Sequence, residues 1–432
     1  MQLIVDLHIH SQYSRATSKQ MNVAQLYKWG KIKGINIIGT GDFTHPAWVK
    51  ELKEKLEPAE NGLFKLKEKY AKEQDALLPE SVRGNLIRFI LTVEISNIYK
   101  KHDKVRKMHN VLVAPSFEAV AEVNSRLDKI GNIKSDGRPI LGLDSKELLK
   151  ISMESDPDSF FFPAHIWTPW FSMFGSKSGF DTIEEAFEEL APEIKAIETG
   201  LSSDPFMNWR LSQLDGLTIL SHSDAHSPQK LGREANVMDC KVDYKDIIGA
   251  VKTNDKRMIG TIEFYPEEGK YHFDGHRKCN FRCLPEETKK LKGICPKCGK
   301  PLVVGVHYRV EEIADRDFKY RPKKHKKVEY IIPLAEMIAE VKGVKGVNSK
   351  TVQSEYEAMY AKLGDEFSIL RTIATKEIQK AGFAELAVGI KRMRKGEVNV
   401  DPGYDGVFGV IKVFGDEKGA KRSIAGQVGM GL

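Results

Sequence analysis

This chain of 432 residues has no long apolar run. Its apolar stretches are short, such as Val111–Ala114, whereas a helix that crosses a membrane needs about 18 residues. The first strand-like segment, Leu3–Leu7, lacks the basic flank of a signal peptide. Internal repeats and long low-complexity tracts are also missing. These absences argue against a membrane-spanning or secreted protein and predict one that stays inside the cell.

Cysteine is scarce, with five residues in the whole chain. Four of them form two pairs with the spacings C-x3-C and C-x2-C, namely Cys279, Cys283, Cys295 and Cys298. In an intracellular protein, paired cysteines at this spacing indicate a tetrahedral zinc site rather than disulfides. We therefore predict a structural four-cysteine zinc module and interpret Cys240 as an ordinary buried thiol.

Positive charge is concentrated in one segment of the chain. Residues 270–330 contain 17 Lys and Arg against 8 Asp and Glu, a net charge of +9. The whole chain carries +7, so the remainder carries −2. A nearly neutral body with one basic segment is typical of a protein that binds a polyanion such as nucleic acid. A solvated, lysine-rich surface is the alternative interpretation.

The first 265 residues alternate short apolar runs with amphipathic segments. With 41% hydrophobic residues the chain is globular, and its length suggests two or three domains at about 100–200 residues each. Seven or eight strand–helix units in the first part fit an α/β barrel better than an open sheet. We predict a barrel over 1–265, the zinc module over 270–330, and a mostly helical region with a glycine-rich tail over 331–432.

Histidines and acids stand at the ends of the predicted strands. His8 and His10 are two residues apart, as are Asp224 and His226, so each pair can point the same way. Glu94 follows the predicted strand Leu86–Val93. The carboxyl ends of barrel strands converge on one mouth, where these side chains would meet. The predicted metal ligands are His8, His10, Asp42, His45, Glu94, His109, His165, Asp224 and His226.

So many imidazole and carboxylate groups exceed the needs of one ion and suit two or three divalent cations. Several cations can together activate a water molecule and neutralise a phosphoryl group, which favours phosphoester hydrolysis. Zinc, manganese or iron fits the ligands, and magnesium or manganese is a candidate for turnover. For any single histidine, a structural role in the core remains the alternative.

Eight of these nine ligands lie in five short segments: His8-Ile9-His10-Ser11, Gly41-Asp42-Phe43-Thr44-His45, Glu94, Pro163-Ala164-His165 and Ser223-Asp224-Ala225-His226. They resemble the motifs of the polymerase and histidinol phosphatase (PHP) superfamily, which implies a distorted (β/α)7 barrel with a trinuclear metal site. Two features depart from the superfamily's motifs. The first motif is followed by Gln12-Tyr13-Ser14-Arg15 without a further His or Asp, and Asp42 and His45 are not adjacent. Either Asp42 or His45 can therefore be the ligand.

The layout of barrel, zinc module and helical region resembles the endonuclease Q family. The resemblance implies a DNA-repair endonuclease that cuts 5′ to uracil, hypoxanthine, xanthine or an abasic site. Metal-activated water would leave a 3′-hydroxyl and a 5′-phosphate. Asp224, His10 and Glu94 would be its catalytic residues. The alternatives are a small-molecule phosphatase on the same barrel, similar to histidinol-phosphate phosphatase, and a nucleic-acid-binding protein without activity.

A nuclease that inspects bases has to move the base out of the helical stack. The aromatic segment after His165 would lie at the barrel mouth and offers stacking surfaces, although its rings could instead cap the core. The implied partner is DNA with deaminated or abasic nucleotides, a sliding clamp is a further candidate, and the location would be the cytoplasm, at the nucleoid. The predicted DNA or base contacts are Trp167, Trp170, Phe171, Phe174, Lys177, Lys323, Lys324, Lys326 and Lys327.

Overall fold

The computed structural model describes residues 2–415 and has a mixed α/β fold. The predicted tail reaches Leu432, and its residues from 416 onward lie outside the described part of the chain. Within residues 2–415, no helix is long and apolar enough to cross a membrane.

The first part of the chain forms a barrel-like sheet surrounded by helices. Its strands are β1 (Gln2–Asp6), β2 (Ile37–Gly39), β3 (Leu56–Pro58), β4 (Phe64–Leu66), β5 (Arg88–Lys101), β6 (Lys104–Ala114), β7 (Ile140–Leu141), β8 (Phe160–Pro163), β9 (Ala196–Glu198), β10 (Thr218–Leu220), β11 (Ala235–Asp239) and β12 (Met258–Glu263). Its helices are α1 (Val23–Lys33), α2 (Pro46–Lys55), α3 (Glu68–Asp75), α4 (Glu80–Arg83), α5 (Phe117–Leu127), α6 (Ser145–Ser155), α7 (Ile183–Phe187), α8 (Pro205–Asn208) and α9 (Tyr244–Thr253).

The barrel mixes parallel and antiparallel strand pairs, and β4 runs antiparallel to β3 and β5. β1, β2 and β5 pair in parallel, as do β9 and β10. β11 runs antiparallel to β1 and β12, and β6 runs antiparallel to β5 and β8. Alternate residues of β1 face different cores: Leu3 and Val5 join an inner cluster with Phe162 and Met238, whereas Ile4 joins the outer, helix-covered cluster. The barrel is therefore distorted from a regular (β/α) repeat, as predicted.

The predicted end of β5 and the predicted start of β6 were both wrong. The sequence predicts a strand that ends at Val93 and another that begins at Asn110, but β5 and β6 form one long hairpin that continues to Lys101 and returns from Lys104. The charged segment between the apolar runs hides the hairpin from a hydrophobicity argument. Glu94 and His109 consequently lie inside neighbouring strands, where Ser96 pairs with His109.

The remaining elements follow the barrel and pack beside it. β15 pairs in parallel with β12 and so extends the barrel sheet, while helices dominate the region after it, as predicted. The elements are β13 (Asp274–His276), β14 (Phe281–Cys283), α10 (Pro285–Lys290), α11 (Val306–Ile313), β15 (Lys327–Tyr330), α12 (Leu334–Val341), α13 (Lys350–Leu363), α14 (Thr375–Lys380), α15 (Ala384–Arg394), β16 (Asn399–Asp401) and β17 (Val410–Lys412).

Candidate metal centre and nucleic-acid interface

Two histidine–carboxylate groups lie at the mouth of the barrel. The first contains His8, His10, Glu94 and Asp224, whose ligand atoms all lie within 4.8 Å of one another. His10 Nε2 is 3.2 Å from Glu94 Oε2 and 3.1 Å from Asp224 Oδ1. These residues come from the ends of β1 and β10 and from the middle of β5. The barrel thus brings together side chains that are more than 200 residues apart in sequence.

The second group shares Glu94 with the first and adds His109 and His165. Glu94 Oε1 is 2.7 Å from His109 Nδ1 and 3.0 Å from His165 Nε2. Glu94 is fully buried, and its two oxygens face different groups. This arrangement suits a carboxylate that bridges two metal ions.

The electrostatics of both groups favour cations. Burial opposes the charge of Glu94, yet His109, Arg138 and His8 hold its pKa well below the ordinary value. Burial likewise opposes the charge of Asp224, and contacts with His10 and His8 lower its pKa. Burial lowers the pKa of His109 to about 4. Burial also opposes the charge of His8 and His10, yet the neighbouring carboxylates raise the pKa of both rings well above the ordinary value. Carboxylates beside imidazole rings are the donor set that a divalent cation requires, and such a cation would displace the protons of these rings.

Three atoms of the first group that could bind a metal ion have no hydrogen bond of acceptable geometry. They are the buried atoms His8 Nε2, His10 Nε2 and Asp224 Oδ1. Buried polar atoms are almost always satisfied, so their convergence without partners fits residues that hold metal ions.

Glu198 supports the centre from behind, and sequence reasoning did not identify it. Its carboxylate accepts from His8 Nδ1 at 3.0 Å, from His222 Nδ1 at 2.9 Å and from the backbone N–H of His165 at 2.8 Å. The bond to Nδ1 fixes the tautomer of His8 and turns Nε2 toward the centre. Glu198 ends β9, so the strand-end argument could have found it.

Asp42 lies beside the first group and is hydrogen-bonded to its surroundings through both oxygens. Its carboxylate accepts from Ser11 N and Ser14 Oγ at 2.6 and 2.8 Å, and it lies 3.1 Å from His10 Nδ1. Because both of its oxygens are engaged in this way, Asp42 orients His10. Among the described residues 2–415, Asp42 is a member of neither histidine–carboxylate group. These hydrogen bonds favour a supporting role, and the choice between Asp42 and His45 as a metal ligand stays a prediction.

His45 and His226 also stay outside the two groups among the described residues. His45 stacks on Tyr13 with ring centroids 4.4 Å apart, beside the start of α2. His226 lies at the edge of the centre, 4.5 Å from the His10 ring, and its Nδ1 is 2.9 Å from the Asp224 carbonyl. The structure therefore assembles two groups and leaves these predicted ligands apart from them.

Arg138 is a second residue at the centre that the sequence did not reveal. It donates from Nη1 to Glu94 Oε2 at 3.0 Å, and 28% of its side chain is exposed. Arg138 lies in a loop between predicted elements, where no spacing or strand-end rule applies. A partly exposed guanidinium beside the metal groups can bind a phosphate oxygen.

Two ligands adopt backbone conformations that are unfavourable for their residue type. Asp224 has φ 45° and His165 has φ 28°, both in the left-handed region. Gly200 packs against His165, and a Cβ atom at Gly200 would lie 2.3 Å from the Cβ of His165. Local strain of this kind persists only where the surrounding fold holds it and is common at functional sites.

The aromatic segment after His165 divides into core and surface residues. Trp167 and Phe174 are 1% and 0% exposed and pack against each other. Their prediction as base-binding residues is corrected, because both rings are part of the core. Trp170 is 52% exposed, and Lys107 Nζ lies 5.1 Å from its ring.

Phe171 reaches the metal centre directly. Its ring centroid is 4.8 Å from that of His109, and its carbonyl accepts from His109 N at 3.0 Å. Lys177 is exposed nearby on the same loop. Trp170, Phe171 and Lys177 therefore remain accessible for contacts with a ligand at the mouth.

A third potential metal group lies in the cysteine module. It contains Cys279, Cys295, Cys298 and His276, with Cys298 Sγ 3.3 Å from His276 Nδ1. Cys283 is not a member: its buried thiol lies 3.2 Å from Thr288 Oγ1. His276 at the end of β13 therefore lies with three of the four predicted cysteines, and the four-cysteine ligand set stays a prediction.

The predicted basic cluster is only partly available. Lys323 and Lys324 are exposed. Lys326 Nζ donates to the Asp255 carbonyl at 2.5 Å, and Lys327 pairs with Glu329 at 3.0 Å. Lys326 is therefore engaged within the chain, whereas Lys327, which is 66% exposed, remains accessible together with Lys323 and Lys324.

The distorted barrel with shared histidine–carboxylate groups at its mouth defines a PHP-type fold. Over 97% of its length, the chain matches the crystal structure of the lesion-specific endonuclease PfuEndoQ from Pyrococcus furiosus, with 30% identity, a TM-score of 0.82 and 98% of that chain covered. It also matches an endonuclease Q complex with a 27-mer duplex that carries an abasic lesion at the active site. That match has 31% identity and a TM-score of 0.79 and covers 95% of this chain and 96% of the other. The chain belongs to the endonuclease Q family.

Curated relatives match part of the chain. The uncharacterized protein MJ0043 of Methanocaldococcus jannaschii is 37% identical over 57% of this chain, and the match spans 31% of that relative. YqxK of Bacillus subtilis is 29% identical over 60% of this chain, which spans 62% of that relative. The match thus covers less than two thirds of either relative. Residues 333–397 match the family model described as the MJ0043 C-terminal domain.

Proposed function

We propose that this protein is a DNA-repair endonuclease that hydrolyses the phosphodiester bond 5′ to a deaminated base or an abasic site. The observation that carries the proposal is the pair of metal-binding groups joined by Glu94 at an open barrel mouth. Membership of a family with a lesion-bound duplex in one of its structures supports DNA as the substrate. The expected products carry a 3′-hydroxyl and a 5′-phosphate.

The residues of the mouth have separate tasks. His8, His10, Glu94 and Asp224 would hold one cation, and Glu94 with His109 and His165 a second. When bound, these cations would activate water and neutralise charge on the phosphoryl group. Arg138 would bind a non-bridging phosphate oxygen. Zinc is our proposal for the cysteine module and for the centre, with magnesium or manganese for turnover.

Recognition of the damaged nucleotide would use the accessible aromatic residues. Trp170 is exposed and Phe171 lies beside His109, so both can stack on a base that has left the duplex. Lys107 and Lys177 would contact the backbone next to it. These side chains support DNA as the partner, and we propose the cytoplasm as the location. A sliding clamp as a further partner stays a prediction.

The test is incubation of an end-labelled duplex bearing one deoxyuridine or one abasic analogue with the purified chain and Mn2+ or Mg2+. We expect one cut, 5′ to the lesion, whose 3′ end a polymerase can extend. Asp224→Asn should abolish the cut, because it removes a ligand charge from the first group while preserving side-chain shape. Asp103→Asn, at a fully exposed carboxylate, should cut like the parent chain.

Three outcomes would overturn the proposal. Release of phosphate from a small phosphomonoester, with the lesion duplex left intact, would identify a phosphatase. Equal cutting of lesion-free duplex would identify a nuclease without lesion specificity. Binding of the duplex without any cut, under conditions in which the protein retains its metals, would identify a binding protein.

A further inference from the structure

A pair of glutamates lies inside the barrel, separate from both histidine groups. In the register of β11 and β12, Ala235 pairs with Ile262 and Asn236 with Thr261. The next position in that register places Glu234 opposite Glu263. Both residues are 0% exposed. Like charges directly opposite each other on neighbouring strands destabilise a sheet, and burial away from water increases that cost.

Each carboxylate uses one oxygen and leaves the other without a partner. Glu263 Oε1 accepts from Ser221 Oγ at 2.5 Å, and Glu234 Oε1 accepts from Phe264 N at 3.4 Å. Glu263 Oε2 and Glu234 Oε2 are buried and have no hydrogen-bond partner. The two residues therefore do not share a hydrogen bond through these atoms.

A third oxygen points into the same space. Thr261 lies two residues before Glu263 on β12, so its side chain is on the same face. Its hydroxyl oxygen is buried without a hydrogen bond of acceptable geometry, although Thr261 and Thr199 lie close enough to Glu263 to oppose the rise of its pKa. Three unpartnered oxygens on one inner face form an all-oxygen cluster.

No cation among residues 2–415 balances the pair. Neither carboxylate forms an ion pair with a described lysine or arginine. Arg233 is next to Glu234 in sequence, but its Nε donates to the Ser223 carbonyl at 2.9 Å. Burial raises the pKa of Glu263 to about 8 and that of Glu234 well above its ordinary value. The pair must therefore take up protons or hold an external cation.

We propose that Glu234, Glu263 and Thr261 form a binding site for a hard divalent cation such as Mg2+, Mn2+ or Ca2+, inside the barrel and distinct from the histidine groups. Carboxylate and hydroxyl oxygens without nitrogen or sulfur are the donors that these ions prefer. Two charges on the cation neutralise two carboxylates, which a monovalent ion would not. The site would stabilise the barrel at the point where β11 and β12 meet.

The test uses Mn2+ as the probe on the whole chain. In a crystal of the full chain grown with MnCl2, anomalous difference maps at the manganese edge should contain a peak between the Glu234 and Glu263 carboxylates, in addition to peaks at the histidine groups. In solution, Glu234→Gln/Glu263→Gln should bind one Mn2+ fewer per chain after desalting. The matched control is Glu73→Gln/Glu118→Gln, at two exposed glutamates, and should bind as many ions as the parent.

If the double variant does not fold, the crystal measurement alone tests the proposal. A map with water or no density between the carboxylates, at occupancies that fill the histidine groups, would show that the pair is protonated and would overturn the proposal. An unchanged Mn2+ count in a folded double variant would do the same. Neither measurement depends on whether the chain cuts DNA.

Discussion

At the scale of single residues, Glu198 is the side chain on which the geometry of the centre depends most. Its two oxygens accept from three donors, the Nδ1 atoms of His8 and His222 and the backbone N–H of His165. Burial opposes its charge, but His8 and His222 lower the pKa of Glu198 to about 2. A permanent carboxylate can accept from all three donors, whereas an amide has only one oxygen.

We therefore predict that Glu198→Gln weakens metal binding at the centre. The amide NH2 would face a donor, so His8 or His165 would lose its bond and its orientation. Loss of such a supporting partner lowers metal affinity by about 10–100-fold. Titration of the metal-free protein with Mn2+, followed by calorimetry or by electron paramagnetic resonance, measures the change.

The control for this variant is Glu118→Gln, at an exposed position on α5. It should titrate like the parent chain. A Glu198→Gln protein with parental metal affinity and a lower melting temperature would show that Glu198 stabilises the fold without orienting a ligand.

The sequence predicts the residues of the centre that stand at predicted strand ends, and it does not predict those that lie elsewhere. His8, Glu94, His165 and Asp224 were found because polar residues at the carboxyl ends of barrel strands converge. The same rule proposed Asp42, but sequence cannot tell a ligand from a residue hydrogen-bonded to one. The contact of Arg138 depends on the path of a loop, which no periodicity predicts.

At the scale of elements, a buried ion pair connects the barrel to the C-terminal helices. Lys33 is at the end of α1, and its Nζ lies 2.6 Å from Glu366 Oε2. The two side chains are 9% and 5% exposed. Glu366 also accepts from Tyr356 OH at 2.5 Å and from Leu334 N at 3.0 Å. One carboxylate thus joins α1, α12 and α13.

We predict that Lys33→Met destabilises this junction, because it leaves the charge of Glu366 buried without a counter-charge. Removal of one partner from a buried pair costs about 3–5 kcal/mol. Hydrogen exchange of the peptides that cover α12 and α13 should show a free energy of opening lowered by that amount. The double variant Lys33→Met/Glu366→Gln should recover most of it.

The exposed pair Glu68–Lys72 provides the comparison, since both side chains are about three-quarters exposed. Lys72→Met should leave exchange in the C-terminal helices unchanged. Faster exchange that persists in the double variant would mean that the aliphatic chain of Lys33 matters more than its charge. Sequence alone could not have indicated this pair, because its members are 333 residues apart and Glu366 lies in the short segment after α13.

At the scale of the whole molecule, the charge of +9 in residues 270–330 does not translate directly into contacts with DNA. An intramolecular partner already engages Lys326, whereas Lys323 and Lys324 are exposed and Lys327 is 66% exposed beside Glu329. Composition counts all four lysines alike. Only the fold distinguishes a lysine that can release counterions from DNA from one that is already paired.

We therefore predict different salt dependences for two double variants in binding an uncut lesion duplex. Each phosphate contact contributes about 0.9 to the slope of log affinity against log salt concentration. Lys323→Ser/Lys324→Ser should reduce the magnitude of the slope by up to about 1.8, with affinity falling equally for lesion and undamaged duplexes. Lys326→Ser/Lys327→Ser should reduce that magnitude by no more than about 0.9, because Lys326 is bound to the Asp255 carbonyl and only Lys327 is exposed. Fluorescence anisotropy between low and physiological salt, with the Asp224→Asn protein to prevent cutting, measures both slopes. Equal reductions of about 1.8 in the two variants would show that DNA displaces the contact of Lys326, and parental slopes in both would place the DNA on another face of the molecule.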